Sequence, residues 1–252
     1  VGFFASSGIL NRRGFFGGVF APSNIAGLQL WLDATKGLFD ATSGGSPVTT
    51  DGATVARWED QSSSGYHVTQ ATLANRPLLK TAIRNSKNVV RFDGSNDILV
   101  SANIPDNNLL TLTAFVVANP IGLGGNNAGR MFERGSNVIN LFMFFGNGIS
   151  MIGGGGQVGG GSAPIGSFYL FGARLSGVGD STTTLRINKS LVATNSTVSA
   201  PSTANTTYQI GNRTDLARAF NGDIAELIIY NQALTTEEIN SVETYLSAKW
   251  GF

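Results

Sequence analysis

Along much of this chain, hydrophobic and polar residues alternate with the period of two that sends successive side chains to opposite faces of a strand. Residues 28–33 interleave Gln29 with leucines and end in Asp33-Ala34-Thr35. Residues 88–92 and 98–100 flank Asp93-Gly94-Ser95-Asn96-Asp97, whose members accept left-handed backbone and bond neighbouring amides. This predicts a hairpin-like turn. Residues 110–118 open with alternation and then become continuously apolar, as a central strand buried on both faces would. Residues 138–145, 167–175, 183–187, 208–210 and 225–230 extend the set to about ten strands, the spacing of a sandwich or barrel.

One helix interrupts the pattern. Thr235-Thr236-Glu237-Glu238 sets a capping hydroxyl three residues before a carboxylate, so each can satisfy an orphan amide at a helix start. Ile239, Val242, Tyr245 and Leu246 then repeat at helical spacing, Lys249 complements the dipole and Gly251 ends the run. The helix should pack on the sandwich and carry Trp250 into it. Residues 122–129 and 152–161 are glycine-rich and precede no Gly-Lys-Ser/Thr, so they predict mobile surface loops, not a phosphate cradle.

Composition narrows the function classes. The 252 residues are 42% hydrophobic and 13% charged, enough for a core. A sandwich of this length is commonly one domain. Lys plus Arg number 17 against 16 Asp plus Glu, leaving no excess charge for nucleic acid. The absence of cysteine excludes disulfides and thiolate chemistry. No apolar run reaches the roughly 18 residues that span a bilayer, which predicts a soluble chain without membrane insertion.

Residues 1–27 form an apolar, glycine-rich arm. Phe3, Phe4, Phe15, Phe16 and Phe20 are too greasy to stay solvated alone. Arg12 and Arg13 interrupt what would be a signal peptide's apolar stretch, so the arm reads as retained. It is either a strand on its own sandwich or an anchor on another subunit.

From residue 28 to 252 the words resemble one family. Leu30-Trp31-Leu32-Asp33, Arg57-Trp58-Glu59-Asp60-Gln61-Ser62 with Gly65-Tyr66-His67, Arg76-Pro77, Val90-Arg91-Phe92-Asp93 through Asp97, Gly222-Asp223 through Asn231, and Tyr245 through Gly251 occur in order. They are similar to the concanavalin A-like lectin/glucanase superfamily in its laminin-G-like branch. The resemblance implies an all-β, antiparallel two-sheet jelly-roll sandwich with one short C-terminal α-helix. Such domains occur on phage tail, fibre and capsid-surface proteins and in secreted bacterial proteins, many without catalysis.

Candidate sites are few. Retaining glycosidases need two carboxylates about 5 Å apart. Here Glu59-Asp60 and Glu237-Glu238 are adjacent pairs and Glu226 stands alone in an apolar strand. No enzyme is expected. His67, the single histidine, suits a structural hydrogen bond. Asp93, Asn96, Asp97 and Asp223 offer hard oxygens for a structural calcium, although the same turn is self-sufficient. Trp31 and Trp58 read as core. Tyr66 and Tyr208, beside polar loops, are the exposed rings that a glycan would stack on.

Function is therefore expected to be non-catalytic: a virion capsid-decoration or tail-associated subunit that joins other virion subunits through residues 1–27, assembly-bound or oligomeric. Its jelly roll, on the virion surface, would help attachment to host glycans. The alternative is a carbohydrate-binding adhesin of a phage receptor-binding protein, or a protein secreted by or displayed on a bacterium.

Overall fold

The computed structural model describes residues 20–104, 111–134, 139–144 (backbone), 148–153, 156–176, 183–195 and 207–252. Within them the alternating segments become β1 (Leu28–Asp33), β2 (Leu38–Phe39), β3 (Arg57–Trp58), β4 (Val68–Thr69), β5 (Leu78–Arg84) and β6 (Lys87–Asp93). Then follow β7 (Leu99–Ser101), β8 (Leu112–Gly122), β9 (Arg130–Arg134), β10 (Ile139–Phe144), β11 (Gly148–Gly153) and β12 (Gly156–Gly160). The last strands are β13 (Tyr169–Leu175), β14 (Thr183–Ile187), β15 (Ser190–Asn195), β16 (Tyr208–Ile210) and β17 (Asn221–Tyr230), before the helix α1 (Thr236–Trp250).

The strands form two antiparallel sheets. One runs β15-β14-β13-β8-β17-β6-β5, with β1 also paired to β17; the other runs β12-β11-β10-β9-β16-β7-β4-β3-β2. Consecutive strands are often not neighbours: β17, near the end of the chain, lies between β8 and β6. This is the antiparallel two-sheet jelly-roll sandwich that the family resemblance implies.

β8 shows how alternation builds the layers. Leu112, Ala114, Val116 and Ala118 enter the core between the sheets, whereas Phe115 and Val117 join a second apolar cluster on the other side. The second cluster is closed by Ile239, Val242, Leu246 and Trp250 of α1. β8 runs on to Gly122, past Pro120, which sits opposite the register shift at Asn221/Gly222 of β17. A bulge is where a strand tolerates a residue without an amide hydrogen.

The helix begins as its cap predicts. Glu238 N donates to Thr235 Oγ1 (3.2 Å), Thr235 N donates to Glu238 Oε2 (2.9 Å), and Gly251 closes the end in the left-handed region.

Two expectations fail. The glycine-rich segments are not loose loops: Gly156–Gly160 is a strand paired with β11, and Ser150 Oγ donates to the carbonyl of Val158, which is buried. In the other segment, Gly125 N donates to Ala219 O at 2.8 Å, and a Cβ on Gly124 would lie 2.2 Å from that same oxygen. Glycine is used here for close backbone approach, not for mobility.

The boundary expected at residue 28 also shifts for the described part of the arm. Ile25 is buried in the helix-side cluster, Pro22 O accepts the Tyr230 hydroxyl (2.9 Å), and Phe20 packs 6.1 Å from the Tyr245 ring. Residues 20–27 therefore belong to the folded domain, and Phe20 meets its own chain. Phe3, Phe4, Phe15 and Phe16 lie outside the described residues.

Candidate functional site

One outer face of the sandwich is roofed by a helix. Over β8, β13 and β17 lie α1 and the strap formed by residues 20–27. Beneath this roof sits Glu226, which is 1% exposed. It accepts Trp31 Nε1 (2.7 Å), Trp250 Nε1 (2.7 Å) and the Tyr245 hydroxyl (3.0 Å). Lys249 Nζ lies 2.7 Å from both Glu226 and Asp33. Burial, and then the Asp33 charge, push the Glu226 carboxyl above the usual carboxylate range, while Lys249 and Trp250 pull against them.

Glu226 is thus not alone: Asp33 faces it directly across β1 and β17. Sequence reasoning missed the pair because 193 positions separate its members. The two carboxylates share one ammonium and lie under the helix, so the arrangement fastens α1 to the sheet. A buried, multiply donated carboxylate has no open side for a substrate.

The other conspicuous word is also structural. Asp60 accepts the amides of Trp31 (2.9 Å), Ser62 (2.9 Å) and Tyr66 (2.9 Å), and His67 Nδ1 accepts the Asp60 amide (3.1 Å). His67 has the hydrogen-bonding place expected of it. Tyr66 is half-buried and packs edge-on against Tyr208 with centroids 6.4 Å apart. Tyr208 is fully buried, contrary to expectation, because β16 turns it into the core beside Ile210. Its ring cannot stack on a sugar from solvent.

The calcium set does not assemble. Asp93 Oδ1 accepts the amides of Ser95 (2.7 Å) and Asn96 (3.2 Å), and Asp97 Oδ2 accepts the Asp93 amide (2.9 Å). Asp223 is instead held by Arg91 through two bonds of 2.6 and 2.9 Å. Among the described residues no three acidic, histidine or cysteine side chains group as a metal would require.

The other outer face belongs to the nine-stranded sheet, and along it Phe39, Thr69 and Val100 are half-buried whereas Arg57, Gln209 and Glu133 are buried. Tyr208 and Ile210 point into the core, so the intervening Gln209 points outward. Strand register then places Phe39, Arg57, Thr69, Val100, Gln209 and Glu133 in one transverse row, each opposite the next. Arg57 lies 4.2 Å from the Phe39 ring and 3.2 Å from Glu59. The row mixes donors, acceptors and small apolar patches.

One loop rises from this row. Gln209 Oε1 accepts the Thr214 amide (3.1 Å), and Asn212 Oδ1 accepts the amides of Arg213 (2.8 Å) and Arg218 (3.1 Å), folding residues 211–218 against the sheet. The loop shows solvent Thr214, Asp215 and Leu216, with Leu216 in the left-handed region at φ 59°. Asn126 and Asn127, in the adjoining loop, are also left-handed at 51° and 54°. Such backbone costs on the order of 1 kcal/mol or more per non-glycine residue; it also occurs in the hairpin turns at Asn85–Ser86 and Asn188–Lys189.

Charge gathers there too. Arg130 lies 3.1 Å from Glu133, and its amide donates to Arg218 O (2.9 Å). Burial draws the Arg130 guanidinium below the usual arginine range; Glu133 opposes this, whereas Arg218 and Arg213 add to it. Arg213 is paired with Asp215 through a two-bond fork, which lowers the Asp215 carboxyl to about 2. The sequence pattern alone gave residues 211–218 no role. The available signal was a stretch of charged and polar residues inserted between two apolar strands.

A concavity of about 490 Å³ opens between β14 and the start of α1, lined by Arg174, Thr184, Arg186, Leu191 and Glu237 among others. Arg186 is occupied by a two-bond fork to Glu243 (2.7 and 2.9 Å), and Arg174 donates to Leu234 O (3.0 Å).

Comparison with known proteins fits this fold. The Laminin_G_3 family, described as the concanavalin A-like lectin/glucanases superfamily, matches residues 92–240, more than half of the chain. No curated protein matches the sequence. Among solved structures, Trypanosoma rangeli sialidase in complex with a difluoro-KDN compound aligns with a TM-score of 0.56 at 13% identity, covering 89% of this chain and 33% of that one. The receptor binding domain of botulinum neurotoxin mosaic serotype C/D aligns at 0.57 and 12% identity, covering 87% and 51%. The chain thus spans about a third of the sialidase and about half of the toxin domain. Identities this low speak for the fold alone. The matched family, the two antiparallel sheets and the terminal helix together make this chain a member of the concanavalin A-like lectin/glucanases superfamily.

Proposed function

We propose that this protein is a non-catalytic glycan-binding module displayed on the surface of a larger assembly, a virion in the first instance. In this reading residues 1–19 attach to neighbouring subunits, and the outer side of the nine-stranded sheet, with the exposed Thr214–Leu216 loop upon it, meets a host-surface glycan. One observation carries the proposal: entry of the chain at Phe20 and the polar row through Gln209 lie on opposite layers. A domain so arranged can be held from one side and read from the other. The burial of the Asp33–Glu226 pair beneath the helix supports binding without hydrolysis at that pair. The toxin receptor-binding domain of similar fold supports recognition as a use of this architecture. Tyr66, half-buried between β3 and β4, is the aromatic residue proposed to contribute at the edge of the ligand.

Deletion of residues 2–19 tests the division of labour. The shortened chain should keep its melting temperature and its binding to host-surface polysaccharide but fail to enter particles. Full incorporation of the shortened chain would refute anchoring, and an adhesin working alone would then be the better reading.

A further inference from the structure

The apolar cluster beneath α1 draws residues from β8, β13 and β17 and, among the described residues, none from β14 or β15. Those two strands carry the sheet on past the helix, and the concavity of about 490 Å³ lies in the angle between them and the start of α1. Leu175, Leu185 and Ile187 point into the core, so Arg174, Thr184 and Arg186 point outward, into this angle. Register sets Arg174 opposite Thr184, and Arg186 opposite Leu191.

The two arginines are in different states. Arg186 is committed to Glu243, which is 1% exposed. Arg174 gives only its Nε, to Leu234 O at 3.0 Å; among the described residues Nη1 and Nη2 meet no acceptor. The backbone carbonyl thus fixes the guanidinium in the wall and leaves its outer edge unused. Solvent reaches this place: Arg174 and Thr184 are half-buried, and Thr235, Thr236, Glu237 and Leu191 are exposed. A concavity of this size, with a few convergent polar groups, suits a small molecule.

We propose that this concavity binds a small hydroxylated carboxylate, a sugar acid, with Arg174 as its anchor. Two parallel N–H groups on the free edge of a guanidinium match a planar carboxylate. Charge sets the class of anion. Glu243 balances Arg186 and Glu237 adds a negative charge to the lining, so Arg174 has the charge for one carboxylate and not for a phosphate dianion. Thr184 and Thr236 offer hydroxyls, Glu237 accepts from ligand hydroxyls, and the exposed Leu191 covers C–H groups. The site lies on the layer opposite the Gln209 row and does not depend on the host-glycan reading.

The test is calorimetric titration of the full chain with glucuronate, glucose and inorganic phosphate. Glucuronate should bind at least tenfold more tightly than either of the others. Arg174→Gln should remove that margin with an unchanged melting curve. Thr236→Trp, an exposed substitution at the mouth, should weaken glucuronate at least tenfold by filling the space, which keeps the test decisive if Arg174→Gln lowers stability. A disaccharide ending in glucuronate separates the sources: binding of both marks a glycan end, and binding of the free acid alone marks a small metabolite. No saturable glucuronate binding, phosphate binding as tightly, or a margin that survives both variants would overturn the proposal. A loss in Thr214→Trp but not in Thr236→Trp would also overturn it, by moving the carboxylate to the other layer, whereas failure here leaves the host-glycan reading standing.

Discussion

Glu226 in β17 accepts the indole N–H of Trp250 at 2.7 Å, so the last turn of the helix is bonded to the middle of the sheet that it covers. Around that bond, Lys249 bridges Glu226 and Asp33. Removing the ammonium leaves two nearly inaccessible carboxylates facing each other. Lys249→Met should therefore destabilise the fold by about 3–5 kcal/mol in denaturant unfolding, and Asp33→Asn added to it should recover part of the loss. A loss below about 1 kcal/mol would mean that the ammonium contributes little.

Gly211 has φ 82°, and a Cβ there would stand 2.0 Å from Cδ1 of Phe92. The buried Phe92 ring has no room to retreat. Gly211→Ala combines left-handed strain with overpacking and should cost about 3 kcal/mol or more, read as a lowered unfolding midpoint. Because Gly211 leads into the Asn212–Arg218 loop, glycan binding should fall with it. A variant of wild-type stability would place Phe92 elsewhere.

Asp97 supplies a pH signature. Burial is the main influence raising its carboxyl to about 6, the Asp93 amide opposes, and the Asp93 charge adds to the rise. A folded value above the unfolded 3.8 means that the stabilising form is the protonated one. Its contribution is complete below the unfolded value and is lost as pH rises through about 6. Asp97→Asn keeps an oxygen for the Asp93 amide without the charge. Its stability should match wild type near pH 4 and exceed it by on the order of 1 kcal/mol at pH 8. Parallel stability curves across that range would contradict the assignment.

These particulars also show what was legible beforehand. Strands 28–33, 183–187 and 208–210 and the helix cap could be read from local pattern, because alternation and the Thr235–Glu238 exchange are short-range chemistry. Two-residue strands such as Leu38–Phe39, Arg57–Trp58 and Val68–Thr69 carry no period to detect; their neighbours in the sheet define them. The Asp33–Glu226 pair and the burial of Tyr208 depend on which face a distant strand presents. The Arg213–Arg218 loop shows in the sequence only as a polar insertion between apolar strands; its place, resting on Gln209 and beside Arg130, comes from strand pairing.

The claim that binds these parts together is that recognition occurs on the outer side of the nine-stranded sheet, at the 211–218 loop. A titration of a bound glycan against three proteins addresses it most directly: wild type, Thr214→Trp on that loop, and Thr244→Trp on the exposed side of α1 in the opposite layer. The account predicts at least a tenfold loss of affinity for Thr214→Trp and none for Thr244→Trp. Unchanged affinity in Thr214→Trp, or a loss confined to Thr244→Trp, would contradict it.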